Sequence, residues 1–315
     1  MSTQAEPIIM TRQDYLSDSD PKWCPGCGLF AILRSLTSMF AKANILPQDQ
    51  VVISGIGCSA RLPYYTNTYG FHTIHGRGPT VAMGAKLANP DLSVWLVSGD
   101  GDALAIGGNH TIHLLRRNSD IKMMLINNQI YGLTKGQASP TSPQGLVTKS
   151  SPYGSVGRPI VPINIALAAG ATFVARVHDK DTKQMEAVMM AAQQHKGAAF
   201  IEILMNCVTF NDGAYDLVTA KKARLDAMLE LADGQPLIFG MELNKGIIDN
   251  NGKLEVAIIG VNGVSEDDIL IHDATNAGLA AQLALLEFPE SPYPIGIFRQ
   301  VNEPVYGEWI DKTHP

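Results

Sequence analysis

The chain has 315 residues, of which 45% are hydrophobic and 17% charged, and its formal net charge at pH 7 is −6. This length allows one large domain with appended segments, and the acidic balance argues against nucleic acid as the main partner. The N-terminal segment lacks an apolar signal core, and no apolar run reaches the roughly 18 residues that cross a bilayer. We therefore expect a cytoplasmic protein without a membrane partner.

The first predicted element is a helix that follows the stretch WCPGCG at residues 23–28. Apolar residues recur at helical spacing from Leu29 to Phe40, which predicts that this helix packs in the core. We assign residues 1–44 to an N-terminal segment that carries Cys24 and Cys27.

Apolar runs alternate with helix-period segments in the central part of the chain. The sequence predicts strands at 51–55, 94–98, 121–127, 172–177 and 199–204, and helices at 79–88, 103–117, 163–170 and 181–195. Near-continuous apolar strands separated by helices predict an α/β domain over residues 45–207, with a doubly wound parallel sheet covered on both faces. Ligands of such sheets bind at the carboxyl ends of the strands.

Residues 208–315 form a predicted C-terminal extension with a weaker pattern. We predict an amphipathic helix over 219–232, a strand over 255–260 and a helix over 275–287. The last stretch is rich in proline and aromatic residues and too apolar for a disordered tail. We expect the extension to pack on a partner subunit.

Polar residues follow two neighbouring predicted strands at the points where the strands end. Asp100 and Asp102 lie in GDGD after the strand at 94–98, and Asn127 and Asn128 end the next strand. Carboxylate and amide oxygens, joined by phosphate oxygens, make a hard octahedral site that suits Mg²⁺. The glycines of the same loop let backbone amides approach a diphosphate.

This GDG…NN pairing resembles the signature of thiamine diphosphate enzymes. The resemblance implies that Asp100, Asn128 and the carbonyl of Ile130 ligate a Mg²⁺ ion that bridges the two phosphates of the coenzyme. It also implies that the sheet is the pyrophosphate-binding domain of such an enzyme.

The four cysteines of the chain are Cys24, Cys27, Cys58 and Cys207. Spacing alone allows a metal, iron–sulfur or redox role, and zinc bound by four thiolates stays open. Cys58 follows the first sheet strand and Cys207 follows the last, so both are expected at the edge that carries Asp100. Thiols beside a carbanion-forming coenzyme suit an electron acceptor better than a structural metal.

Several motifs occur together in one order along the chain. They are WCPGCG at 23–28, GIGCS at 55–59, HGRG at 75–78, GDGD at 99–102, NNQIYGLTKGQASPT at 127–141 and CVTFN at 207–211. In this order they resemble β subunits of 2-oxoacid:ferredoxin oxidoreductases, most nearly the 2-oxoglutarate type. The resemblance implies that the four cysteines bind one [4Fe–4S] cluster.

The resemblance also implies an activity and partners. The enzyme would decarboxylate a 2-oxoacid oxidatively, transfer the acyl group to coenzyme A and pass electrons through the cluster to ferredoxin, with reductive carboxylation as the reverse reaction. The preferred substrate is 2-oxoglutarate, and pyruvate or a broad range of 2-oxoacids is the alternative. We find no second α/β domain of comparable size, so a larger α subunit would supply the activating glutamate in an α2β2 heterotetramer.

Site residues follow from the same resemblance. His75 and Arg77 would lie near the phosphates or the substrate carboxylate as tentative catalytic groups. The family commonly has Ala after this arginine, whereas Gly78 and Pro79 follow it here. The residues expected to contact thiamine diphosphate are Ile56, Gly57, Ser59, His75, Gly101, Asp102, Asn128, Gly132, Leu133 and Thr134.

Two other functions explain part of the pattern. A thiamine-dependent decarboxylase without electron transfer needs Asp100 and Asn128 but not the four cysteines. A zinc-stabilised interaction subunit needs the thiols but not the acidic loop. Neither explains both sets together.

Overall fold

The structure is a computed structural model, and it describes residues 9–313. The strands of this part of the chain are short and lie mostly in one sheet. They are β1 Gln50–Ser54, β2 Tyr69–His72, β3 Ser93–Gly99, β4 Lys122–Asn127, β5 Ile130–Tyr131, β6 Gln137–Ala138, β7 Phe173–His178, β8 Ala199–Leu204, β9 Met228–Leu231, β10 Ile238–Phe239, β11 Lys245–Asn250, β12 Lys253–Ile258 and β13 Tyr293–Gln300.

Helices connect the strands and cover the sheet. The α-helices are α1 Leu29–Ala43, α2 Gly78–Ala88, α3 Gly108–Arg116, α4 Pro162–Ala168, α5 Thr182–Gln194, α6 Asp216–Thr219, α7 Arg224–Ala227, α8 Ala277–Leu283 and α9 Tyr306–Thr313. Short 3₁₀-helices span Arg12–Tyr15, Pro47–Asp49, Ser59–Tyr65 and Glu266–Asp268, and one π-helical turn spans Asp102–Ile106. Within residues 9–313, we find no helix with the length and apolarity needed to span a bilayer.

The main sheet has eight strands in the order β2-β1-β3-β4-β8-β7-β13-β9. The six strands from β2 to β7 are parallel to their neighbours, whereas β13 runs antiparallel to β7 and pairs in parallel with β9. The predicted doubly wound α/β sheet is therefore confirmed, with two reversed strands added at one side. Because the parallel strands end at one edge, that edge collects the loops after β1, β3, β4 and β8.

The core lies in two layers, one on each face of the sheet. Strand β4 shows the division, since Met123 and Leu125 pack on one face and Met124 and Ile126 on the other. Helices α1 and α5 cover the second face, and α2, α3, α4 and α8 cover the first. This two-sided burial explains why the strands read as continuous apolar runs.

The predicted helix over 219–232 is wrong. The segment forms α7 and then strand β9, whose residues alternate in burial and pair with β13. Pairing with a strand about 65 residues further on outweighs the local helical pattern. The predicted domain boundary at residue 207 stays a prediction. Strands β9 and β13, which follow it in the chain, belong to the main sheet.

Candidate active site

A cleft opens at the carboxyl ends of β1, β3 and β4. It is lined by Ile56, Gly57, Cys58, Ser59, His75, Gly99, Asp100, Gly101, Asp102, Ile126, Asn128, Ile130, Tyr131, Gly132, Leu133, Thr134 and Met205. The structure thus brings together all residues predicted for the coenzyme and the metal. Arg77 is different, since it is exposed at the start of α2 and does not line this cleft.

Asp100 is the buried acid of the cleft, with a side chain that is almost fully enclosed at the end of β3. Its Oδ2 accepts hydrogen bonds from the hydroxyls of Ser139 at 2.5 Å and Thr141 at 2.6 Å. Burial raises the pKa of Asp100 to about 6, against the opposing effect of these two hydroxyls. Among the described residues no cationic side chain forms an ion pair with it. A buried carboxylate of this kind favours a bound cation.

The loop after β4 places Asn128 and Ile130 beside each other. Asn128 Oδ1 accepts a hydrogen bond from the Ile130 N–H at 3.2 Å, and Gln129 between them adopts a left-handed conformation with φ of 55°. The Asn128 carbonyl accepts a hydrogen bond from Asn211 at 3.0 Å. The loop is therefore fixed from within and from the turn after Cys207.

Asp102 holds a neighbouring loop of the cleft. Its carboxylate accepts hydrogen bonds from the Gly76 N–H at 2.8 Å and from the Ser98 hydroxyl at 2.5 Å, and His75 Nδ1 contacts the same group. The carboxylate also lies against Gly55, where a Cβ would overlap it. Asp102 thus orients His75 at the cleft wall.

Gly101 allows a close approach within the cleft wall. A Cβ at this position would overlap the ring of Tyr131, whose hydroxyl donates a 3.0 Å hydrogen bond to the Gly101 carbonyl. Packing against Tyr131 therefore requires a glycine at position 101.

The four thiols gather beside the cleft. The position that a Cβ of Gly132 would occupy lies 3.5 Å from Cys207 Sγ and 3.8 Å from Cys58 Sγ. The CPGC loop approaches the same turn, since the corresponding position of Gly26 lies 3.8 Å from Val208. Cys58 and Gly132 also line the cleft, so the thiols and the cleft share a wall.

The thiols influence one another electrostatically. Burial raises the pKa of Cys27 to about 11, and Cys207, Cys58 and Cys24 raise it further. Burial also raises the pKa of Cys58, with Cys207 and Cys24 acting in the same direction. Within residues 9–313, no three His, Cys, Asp or Glu side chains are grouped so that they could hold a metal ion. The thiols are near one another, but they are not grouped so that they could hold a single metal ion.

Sequence reasoning missed four hydroxyl-bearing residues of the site. Tyr131, Ser139 and Thr141 lie in the motif NNQIYGLTKGQASPT, and Ser98 directly precedes GDGD. Their hydroxyl groups could have marked them as hydrogen-bond donors of the site. Their hydrogen-bond partners, however, depend on how the segment 131–142 folds back over β3. Met205 lines the cleft through its apolar side chain, which offers no such signal.

Comparisons with known proteins agree with this geometry. Residues 55–203 match the family model described as thiamine pyrophosphate enzyme, C-terminal TPP binding domain. A 2-oxoglutarate oxidoreductase subunit KorB of Mycobacterium tuberculosis is 46% identical over 94% of this chain and 79% of the relative. A 2-oxoacid:ferredoxin oxidoreductase subunit beta of Aeropyrum pernix is 49% identical over 60% of each chain.

A solved structure is similar over nearly the whole chain. It is a 2-oxoglutarate:ferredoxin oxidoreductase from Magnetococcus marinus with 2-oxoglutarate, coenzyme A and succinyl-CoA bound. The TM-score is 0.78 at 32% identity, and the match covers 96% of this chain and 89% of the other.

Proposed function

This chain belongs to the β subunits of the 2-oxoacid:ferredoxin oxidoreductases, and we propose that it acts with a larger α subunit on 2-oxoglutarate. The family predicted from the sequence motifs is thereby confirmed. In the proposed reaction the 2-oxoacid loses CO2, coenzyme A takes the acyl group, and two electrons pass one at a time to ferredoxin. The observation that carries this proposal is the cleft that Asp100, Asn128 and Cys58 line together.

The choice of 2-oxoglutarate is supported by the names of the relatives. Subunits from Mycobacterium tuberculosis and Archaeoglobus fulgidus are named for 2-oxoglutarate, with 46% and 45% identity to this chain. The Aeropyrum pernix relatives are named for 2-oxoacids in general, which favours a broad 2-oxoacid specificity as the second candidate.

Thiamine diphosphate, when bound, would supply the nucleophile and the electron sink of the reaction. The chain's own part is to bind and orient it. Backbone groups of Gly101, Gly132 and Thr134 would surround the diphosphate, and Ile56, Gly57 and Ser59 would contact the coenzyme from the β1 side. His75, oriented by Asp102, would face the phosphates or the substrate carboxylate.

For Mg²⁺, the fit rests on the donor set at the strand ends. Asp100 offers a buried carboxylate without an ion-pair partner among the described residues, and Asn128 and Ile130 lie on one fixed loop. These oxygens would hold the ion between the protein and the diphosphate.

For the [4Fe–4S] cluster, the fit rests on the spacing of Cys24, Cys27, Cys58 and Cys207. A cubane cluster takes one thiolate at each of four irons, so its ligands stand further apart than those of a single ion. The cluster's iron would also compensate the burial and, to a smaller extent, the neighbouring thiols that raise the pKa of Cys27. A cluster held by these thiols would supply one-electron transfer.

The α subunit is needed for the activating glutamate. The described residues contain one large, mostly parallel sheet, whose loops at the carboxyl ends of the strands would bind the diphosphate. We propose that the α subunit brings a second α/β domain over the cleft in an α2β2 heterotetramer, and that ferredoxin docks near the cluster. We place the complex in the cytoplasm, where a reducing environment protects free thiols and the cluster.

The test is an anaerobic assay of the co-purified α and β subunits with 2-oxoglutarate, pyruvate and a longer 2-oxoacid. We expect ferredoxin reduction that requires coenzyme A and is fastest with 2-oxoglutarate, and an inactive β subunit on its own. Equal rates with all three acids would favour the broad alternative. Full decarboxylation by the β subunit alone would contradict the need for a partner.

A further inference from the structure

A buried polar network crosses the main sheet behind the candidate metal site. It consists of Asp100 after β3, Asn127 on β4, Glu202 on β8 and Arg176 on β7, joined by Thr141, and these five residues are called the strand-end network below. The four strands are neighbours in the sheet. The network therefore forms a continuous row across the sheet, in the half that contains the carboxyl ends of the parallel strands.

Each link of the network is a close hydrogen bond or hydroxyl contact. Arg176 Nε donates to Glu202 Oε2 at 2.7 Å, and Asn127 Nδ2 donates to Glu202 Oε1 at 2.7 Å. The Thr141 hydroxyl lies 2.9 Å from Asn127 Oδ1 and 2.6 Å from Asp100 Oδ2. Glu202 thus uses its two oxygens to connect Arg176 with Asn127.

Asn127 also organises the loop that carries the proposed ligands. Its Oδ1 accepts a hydrogen bond from the Gln129 N–H at 3.2 Å. Gln129 is the left-handed residue between Asn128 and Ile130. A rotation of the Asn127 amide would therefore release this turn and the Thr141 contact together.

The burial of the network indicates a role beyond stability. The exposed fraction of every member is at most 3%. A buried ion pair is seldom better for stability than apolar side chains of similar size, because both charges must leave water. Arg176 is further held over the ring of Tyr293 and donates to the Pro294 carbonyl at 3.2 Å, so its position is well determined.

Packing alone does not fix Asn127 and Thr141. A cavity of about 310 Å³ lies against them and is lined by other residues than the candidate active-site cleft, among them Arg176, Glu202 and Tyr215. Because there is open space beside these side chains, hydrogen bonds must set their orientation.

We propose that Glu202, oriented by Arg176, is a positioning residue for the Mg²⁺ site. It fixes the Asn127 amide, which in turn holds the ligand loop through the Gln129 N–H. This inference rests on the proposed function, which assigns the metal ligands. It adds residues that hold those ligands in position. Residues that support metal ligands in this way change metal affinity by about 10- to 100-fold when they are replaced.

The test compares two double variants of the α–β complex that both remove the ion pair. Arg176→Met with Glu202→Gln keeps an oxygen that can accept from Asn127, whereas Arg176→Met with Glu202→Met removes it. Neither leaves an unpaired buried charge. The measurement is the Mg²⁺ concentration that half-saturates thiamine diphosphate binding, determined by titration calorimetry on metal-stripped complex.

We expect the Glu202→Met version to need about tenfold more Mg²⁺ or beyond, and the Glu202→Gln version to stay near the wild type. Asp120→Asn is the matched control, because Asp120 forms a 2.5 Å ion pair with Lys122 at the opposite end of β4. It should lower the melting temperature and leave the Mg²⁺ requirement unchanged. Equal Mg²⁺ requirements in both double variants would overturn the proposal.

A second variant covers the case in which a double variant does not fold. Asn127→Leu should raise the Mg²⁺ requirement, because it removes the partner of Glu202 and the acceptor of the Gln129 N–H. If it leaves the requirement unchanged, the strand-end network has no positioning role. If the wild-type complex binds thiamine diphosphate without any need for Mg²⁺, the proposed metal site fails, and this inference fails with it.

Discussion

The Ser139 hydroxyl donates a 2.5 Å hydrogen bond to Asp100 Oδ2, although 39 residues separate the two in the chain. The segment after β4 therefore folds back over the end of β3 and encloses its acid. Asp100 is held in place by neutral donors, while no cation among the described residues compensates its charge. This arrangement suits a carboxylate that binds a metal ion.

We predict that Asp100→Asn abolishes the rise in melting temperature that Mg²⁺ and thiamine diphosphate cause together. Ligand at 100 times its Kd stabilises the folded state by about 2.7 kcal/mol, and this gain should disappear. Without ligands the variant should be at least as stable as the wild type, because the buried charge is gone. Thermal denaturation of the α–β complex measures both effects. Asp91→Asn, exposed near the other end of β3, is the control, and an unchanged ligand shift in Asp100→Asn would argue against the metal role.

Cys58→Ser tests the cluster. We expect loss of most iron and acid-labile sulfide and of the electron paramagnetic resonance signal of the reduced cluster, because serine is a poor iron ligand. Thiamine diphosphate binding should weaken far less than iron binding. Val208→Ala is the control, since it alters the contact beside the CPGC loop without removing a thiol. Full iron content in Cys58→Ser would rule out this cysteine as a ligand.

Gly101→Ala should damage the cleft by overpacking. The new methyl group would push the Tyr131 ring aside, which we expect to cost about 1 to 3 kcal/mol of unfolding free energy. Gly108→Ala is the comparison, because a methyl group there meets open space at the start of α3 and should be neutral or stabilising. Chemical denaturation and coenzyme titration of both variants measure the effect. Equal unfolding free energies of the two variants would contradict the prediction, because they would show that the Tyr131 ring moves aside at little cost.

The free energy of unfolding should depend on pH through the buried side chain of His195. Burial lowers the pKa of His195 to about 4, and its Nε2 lies 2.8 Å from the Thr172 hydroxyl. Because the unfolded chain binds the proton from about pH 6.5 downward, the folded state loses stability between that pH and about 4. The loss should be at most about 3 kcal/mol.

Urea denaturation at pH 7 and pH 5 measures this loss. His195→Asn should show a smaller difference in unfolding free energy between the two pH values than the wild type. His72→Asn, at an exposed position, should behave like the wild type. His178, whose pKa burial also lowers to about 4, accounts for part of the remaining loss. The same pH difference in His195→Asn and the wild type would contradict the assignment.

The parallel strands and the cleft could be predicted because their signals are local. A strand buried on both faces is a continuous apolar run, and GDGD and Asn127-Asn128 stand directly at two strand ends. The order of the motifs then predicts which loops meet. The coenzyme residues were predicted from the resemblance to a known family, and the structure places them around one cleft.

What the sequence could not reveal depends on contacts between distant segments. Strand β9 has a helical pattern and becomes a strand through its pairing with β13. Glu202 and Arg176 lie within apolar strands, and only the registration of β7 and β8 places them opposite each other. Arg77 is exposed and does not line the cleft, and its predicted role near the substrate stays a prediction.

The most direct test of the central claim is a single turnover of the α–β complex under anaerobic conditions, followed by electron paramagnetic resonance. Addition of 2-oxoglutarate and coenzyme A should reduce an iron–sulfur centre bound to this subunit, and oxidised ferredoxin should then reoxidise it. The Cys58→Ser complex should show no such signal. Release of CO2 by the wild-type complex with no paramagnetic signal, and with ferredoxin left oxidised, would contradict the account.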